Sequence, residues 1–210
     1  MVFKTRIGYY TGTTDGYTDN EAKQYIVDGC YDVYNKIKAT KGGFVTQKFG
    51  IWSDPSITNG NAIDIDEVYE IIYVQRNGIP ATEVSPNLIH KYTDTDSIHY
   101  ASENDPIYYF QEQYMTVKPA PTGSAHLYYI YLPQYAVTSY DSATSSIDKF
   151  PAEFYDHVLL YASIKICEAL YHNYIEDEED AELAQLMTGR IDRLKAQYSE
   201  MFIVGGAEWS

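Results

Sequence analysis

The chain has 210 residues, with 15 Lys and Arg against 30 Asp and Glu, for a formal net charge of −15. That balance excludes strong binding to nucleic-acid phosphates, which rests on neutralisation by Lys and Arg, and an anionic membrane surface would repel the chain. Tyr occurs 23 times against 7 Phe and 2 Trp, and a ring with an apolar body and a polar tip suits half-buried sheet faces and wet subunit interfaces.

Residues 1–16 are rich in Gly, Thr and Tyr, lack periodicity and read as an irregular arm. The opening Met1-Val2-Phe3-Lys4-Thr5-Arg6 has no apolar core of signal-peptide length, and no run approaches a membrane span. The expectation is a protein made and assembled in a cytosol. Thr18 then opens a helix through a capping box, its hydroxyl serving early backbone N–H groups while Glu21 reaches back. Ala22, Ile26, Cys30, Val33 and Ile37 follow at helical spacing. Gly29 in that helix costs about 1 kcal/mol against Ala, which points to close approach by a neighbouring helix. Gly42-Gly43 ends the element.

From Phe44 the period changes. Phe44 to Trp52, Val68 to Gln75, Ile79 to Val84, Ile107 to Phe110, Tyr114 to Lys118 and His126 to Leu132 are rich in β-branched and aromatic residues and read as strands. Asn77-Gly78 is a hairpin signal, and Pro80 places its return strand at an edge. Pro86 to Tyr92 reads as a short helix and Thr93 to Asn104 as a polar loop. Pro119-Ala120-Pro121-Thr122-Gly123 reads as a turn. Residues 133–149 form a long loop of the kind that serves as a linker or a binding segment.

Two helical patterns close the chain. Phe154, Tyr155, Val158, Leu159, Ala162, Ile166, Ala169 and Leu170 make one stripe; Leu183, Met187, Ile191, Leu194, Tyr198 and Phe202 make the other. The acidic run Glu176 to Asp180 between them is short enough for an antiparallel hairpin, and its carboxylates suit the start of the second helix. The Thr18–Lys38 helix supplies the cover that this hairpin needs. The fold class is therefore α+β: a helical bundle of an N-terminal helix plus a C-terminal antiparallel hairpin, with an inserted antiparallel β-rich domain. The corresponding boundaries are 1–43, 44–132, a linker at 133–149, 150–204 and a tail at 205–210.

Catalytic and cofactor chemistry is not found. Asp94-Thr95-Asp96-Ser97 starts like a calcium loop but has Ile98, His99 and Asp105 where a ligand, Gly and Glu are needed, so a capped turn is the better reading. Asp64, Asp66 and Glu67 read as a solvated strand end. His90, His99, His126, His157 and His172 have no metal spacing, and no phosphate-cradling Gly loop or nucleophile elbow occurs. Cys30 and Cys167 are compatible with a disulfide if their helices touch, although buried free thiols fit the pattern better. The chain is read as a non-enzyme with no catalytic residue, cofactor or metal.

Three stretches together resemble the head-to-tail adaptor (neck) proteins of tailed bacteriophages. They are Tyr17-Thr18-Asp19-Asn20-Glu21 leading to Asp28-Gly29-Cys30-Tyr31-Asp32-Val33; Asp96-Ser97-Ile98-His99-Tyr100-Ala101 with Asp105-Pro106-Ile107-Tyr108-Tyr109 and Met115-Thr116-Val117-Lys118-Pro119-Ala120-Pro121-Thr122; and Phe150-Pro151-Ala152-Glu153-Phe154-Tyr155-Asp156-His157-Val158. Residues 1–16 and 133–149 match nothing in that pattern. The resemblance implies a virion protein at the head–tail junction, in a ring of typically about twelve subunits joining the portal protein to tail or nozzle proteins. DNA would pass through the channel without specific binding, which the negative charge favours. It also implies a C-terminal segment that reaches the portal, here Ile203, Val204 and Trp209. The 133–149 loop adds Tyr135 and Tyr140 as candidate partner contacts. The competing readings are another tail or baseplate component, or a tyrosine-rich carbohydrate-binding module.

Overall fold

The computed structural model describes residues 2–41, 46–53, 63–65, 68–120, 127–176 and 181–204. The chain divides into a helical unit, Met1–Phe49 with Tyr135–Ser210, and a β unit, Gly50–Gln134. The β unit is inserted between the two halves of the helical unit, as the α+β reading expects.

The helical unit contains α1 (Phe3–Thr11) and α2 (Asp19–Lys41). The α1 helix corrects the expected irregular arm. Phe3, Ile7 and Thr11 recur every fourth residue and are buried, while Gly12 closes the helix in the left-handed region at φ 74°, its N–H donating to the Gly8 carbonyl at 2.8 Å. Poor helix formers are carried here by tertiary burial of one stripe. The capping box of α2 is present as expected. Thr18 N–H donates to Glu21 Oε2 at 2.7 Å and Glu21 N–H to Thr18 Oγ1 at 3.2 Å, an arrangement that holds the Glu21 carboxyl below its usual range.

A 3-10 turn at Ala152–Phe154 leads into the central helix; with the short β-unit helix α3 (Ile89–Thr93) counted, this is α4 (Tyr155–Glu176), followed by α5 (Ala181–Val204). The α4 helix packs on α1, α2 and α5, and so Val158, Leu159, Leu160, Ala162, Ile164, Ile166, Cys167 and Leu170 are all buried. It is not the one-faced helix expected: three partners demand apolar residues all round. Gly29 of α2 is where α4 approaches most closely. A Cβ there would stand 3.0 Å from Tyr161 Cδ1 and 3.2 Å from the Val158 carbonyl. In α5 the buried stripe runs Ala184, Met187, Ile191, Leu194 and Tyr198, and Leu183 is 40% exposed rather than part of it. Cys30 and Cys167 are buried free thiols, and burial pushes Cys167 up to about 11. The acidic run 177–180 lies outside the described residues.

The β unit has two sheets. The first runs β1 (Ile51–Ser53), β8 (Leu127–Pro133), β3 (Val68–Arg76), β4 (Ile79–Pro80), all antiparallel. The second runs β2 (Ile63–Asp64), β7 (Tyr114–Lys118), β6 (Ile107–Gln111), β5 (Thr82–Glu83), where β5 pairs with β6 in parallel. Asn77 (φ 51°) and Gly78 (φ 80°) make the expected tight hairpin turn. The expected single return strand at 79–84 is instead split. Pro80, with no N–H to donate, ends the first pairing, and the chain crosses to the edge of the second sheet. The expected strand 44–52 is reduced to Ile51–Ser53 after a 3-10 turn at Gln47–Phe49, its residues 44 and 45 lying outside the described ones. Val74, Tyr108, Met115, Val117 and Tyr129 form the core between sheets, and Val84, Ala101 and Ile107 a second cluster beneath 86–101.

The 133–149 segment is not a linker loop. It holds β9 (Ala136–Ser139) and β10 (Ser146–Asp148), an antiparallel pair belonging to the helical unit.

Candidate interaction surface

Among the described residues, no group of three or more His, Cys, Asp and Glu is placed to hold a metal, and no helix is long and apolar enough to cross a membrane. Burial and hydrogen bonding separate the side chains consumed by the fold from those presented at the surface.

The 133–149 segment is consumed by it. Tyr135 is 5% exposed, its hydroxyl donating to the Phe49 carbonyl at 2.9 Å and its ring packed on Tyr31 and Phe150 at 5.4 and 5.0 Å. Tyr140 is 3% exposed, and its carbonyl accepts from Lys4 N–H at 3.3 Å and from Ser145 Oγ at 2.9 Å. Phe3 N–H donates to Ser145 Oγ at 3.2 Å, and the Phe3 ring meets Tyr155 edge-on at 5.3 Å. Tyr135 and Tyr140, the expected partner contacts, are therefore both buried within the helical unit, the Tyr135 ring packing against α2 and the Tyr140 backbone holding the start of α1. Burial is the main reason that both hydroxyls titrate well above the ordinary tyrosine range. Ile203 and Val204 end α5, and Trp209 lies outside the described residues.

Further locks close the helical unit. Arg190 Nη1 of α5 donates to the Thr11 carbonyl at the C-terminus of α1, where a cation complements the helix dipole. Tyr198 donates to Asp32 Oδ2 at 2.5 Å, and Lys36 bridges the same oxygen at 3.0 Å while lying 4.0 Å from the Tyr198 ring centroid. The Tyr198 hydroxyl is pushed up, first by burial and then by its bond to Asp32. Glu168 joins Lys165 and Lys195, each at 2.8 Å, tying α4 to α5. His157 stacks edge-on between Phe154 and Phe202, at 5.6 and 5.4 Å. On the outside, Tyr9 is 82% exposed beside a shallow groove of about 400 Å³ formed with Val2, Thr5 and Arg6.

The β unit presents more. On its first sheet Trp52 is 56% exposed with the Tyr73 ring 6.2 Å away, and Tyr69 is 52% exposed. Its loop after α3 is fixed by short-range bonds. Asp96 N–H donates to Asp94 Oδ1 at 3.0 Å, His99 N–H to Ser97 Oγ at 3.1 Å, and Asp105 N–H to Ser102 Oγ at 3.2 Å. Tyr100 N–H donates to the Ser97 carbonyl at 3.0 Å, and Ala101 N–H to the Tyr92 carbonyl at 2.9 Å. This is the capped turn expected at Asp94. At its tip Ile98 is 95% exposed, with Tyr100 at 44% and Leu88 at 40% nearby in sequence. Behind it, Arg76 is 2% exposed; its Nε donates to the Pro119 carbonyl at 3.0 Å and its Nη2 reaches Glu103 at 3.4 Å. In the sequence, the signal for this exposed tip is a lone Ile among Asp, Ser and His.

The family model described as SU10 adaptor protein covers residues 4–206, and so spans both units. No curated protein matches the chain.

Proposed function

The chain belongs to the SU10 adaptor protein family of phage structural adaptors, and from that premise we propose that it forms the ring joining the portal to the tail. In this reading, copies of the chain assemble below the portal, bind tail or nozzle proteins on the other side, and surround the channel through which DNA leaves. The observation that carries it is the extent of the family match, which includes the helical unit and the inserted β unit alike. Two physical features support it. A formal charge of −15 lets DNA pass a channel wall without sticking, and half-exposed tyrosines suit wet subunit contacts.

The C-terminal end of α5 and the residues after it, with Ile203, Val204 and Trp209, are the proposed portal contact. A chain lacking 203–210 should keep its circular dichroism spectrum and melting temperature yet fail to bind the portal. Undiminished portal binding by that truncated chain would overturn the assignment.

A further inference from the structure

An aliphatic side chain left 95% exposed on a loop whose backbone is pinned on both sides, as Ile98 is, has no packing role within its own chain. The turn keeps it on display. Around it, Asp94, Asp96, Glu103 and Asp105 are all exposed. The β unit as a whole carries eleven carboxylates and three cations, Arg76, Lys91 and Lys118, a net −8, and of those cations Arg76 is buried. Desolvating this acidic rim against another acidic surface is unfavourable, and against a basic one favourable. The complement of the loop is an apolar socket with a Lys and Arg rim.

A second copy of the chain is a poor source of that socket. Its β unit repeats the same negative charge. Its helical unit is acidic too, with 19 carboxylates against 12 cations, and seven of those cations are engaged among the described residues of the unit: Lys4 by Asp19 and Asp141, Arg6 by Asp156, Lys36 by Asp32, Lys48 by Glu153, Lys165 and Lys195 by Glu168, and Arg190 by the end of α1. We propose that the 94–105 loop docks, with Ile98 as the inserted side chain, into a basic-rimmed apolar socket on a different virion protein. This rests on the reading of the chain as a joining protein of the particle and adds the surface and the chemistry of one partner.

The test uses Ile98→Cys in the full chain, incorporated into particles in place of wild type. The two native thiols are buried, so a maleimide reports the introduced one. In the free chain it should label rapidly. In purified particles labelling should slow by about a hundredfold, as for a site occupied 99% of the time. A maleimide–succinimide linker attached at that thiol before assembly should join the chain to a lysine of another virion protein. Failure of a folded Ile98→Cys or Asp94→Lys/Asp96→Lys chain to enter particles that accept wild type would also support the proposal. Rapid labelling in particles that contain the chain, or crosslinks only to a second copy, would overturn it while leaving the adaptor reading intact. Absence of the wild-type chain from particles would overturn both.

Discussion

The helical unit and the β unit differ in what their aromatic and aliphatic side chains do. In the helical unit they face inward and are reinforced by bonds between residues far apart in sequence: Tyr135 to Phe49, Phe3 to Ser145, Tyr198 to Asp32, Arg190 to Thr11. In the β unit the described residues include Trp52, Tyr69, Leu88, Ile98, Tyr100 and Tyr114 as exposed large apolar side chains, against Tyr9, Ile175, Leu183 and Leu186 in the larger helical unit. The charge follows the same division. Among the described residues, six of the twelve positive groups in the helical unit pair with its own carboxylates, whereas the β unit carries eleven carboxylates against three cations. One unit is built to hold its shape and the other to present a surface, and variants at matched positions can break that contrast.

The largest effect is expected at Phe49. It is fully buried, with its ring stacked on Phe154 at 4.8 Å and edge-on to Tyr34 and Phe150 at 5.7 and 5.5 Å. Phe49→Ala should destabilise the protein by about 3–5 kcal/mol, read from the denaturant midpoint. A loss of less than 1 kcal/mol would mean that this aromatic cluster is not a core. Next comes Gly29→Val. Branching at a position where even a Cβ stands 3.0 Å from Tyr161 should cost about 1–3 kcal/mol through overpacking, again from denaturant unfolding.

Tyr198→Phe removes the donor to Asp32 and leaves the ring in place. A loss of about 1–2 kcal/mol is expected, smaller than for a buried carboxylate because Lys36 still serves Asp32. The Glu168 bridge gives a pH signature. Burial works to raise its pKa, but the bonds from Lys165 and Lys195 outweigh it and the folded value lies below the ordinary 4.5. Its stabilisation is present above that ordinary value and fades as pH falls through the lowered folded value. Glu168→Gln should therefore be less stable than wild type at neutral pH, and the difference should shrink in acid below 4.5. A thermal-melt difference that stays constant across that range would contradict the assignment. The smallest effect is expected at the presenting surface: Ile98→Ala should change stability by no more than about 0.5 kcal/mol. A larger loss would show that the loop tip packs on its own chain.

The same contrast marks how much was legible in the sequence. The capping box Thr18–Glu21 and the Asn77-Gly78 turn are local chemistry and legible as such, and the long-range approach at Gly29 is legible because a glycine inside a helix needs a reason outside it. The α1 helix escaped because its stabilisation comes from Phe3 and Ile7 meeting distant residues, while its composition argues against a helix. The 133–149 segment escaped for the same reason: β9 and β10 are short, and Tyr135 and Tyr140 beside them are held by residues distant in sequence such as Tyr31, Phe49 and Lys4. Those two tyrosines were taken as contacts because a tyrosine that packs and one that binds look alike in one dimension. The Ile98 display was hidden among polar residues, where one apolar side chain leaves no periodicity.

The most direct measurement is electron microscopy of the purified chain alone and mixed with its portal. The account predicts no ring from the chain alone and a ring of added density on one face of the portal in the mixture, lost when residues 203–210 are removed. A closed ring from the chain alone, or a portal left bare in its presence, would contradict it.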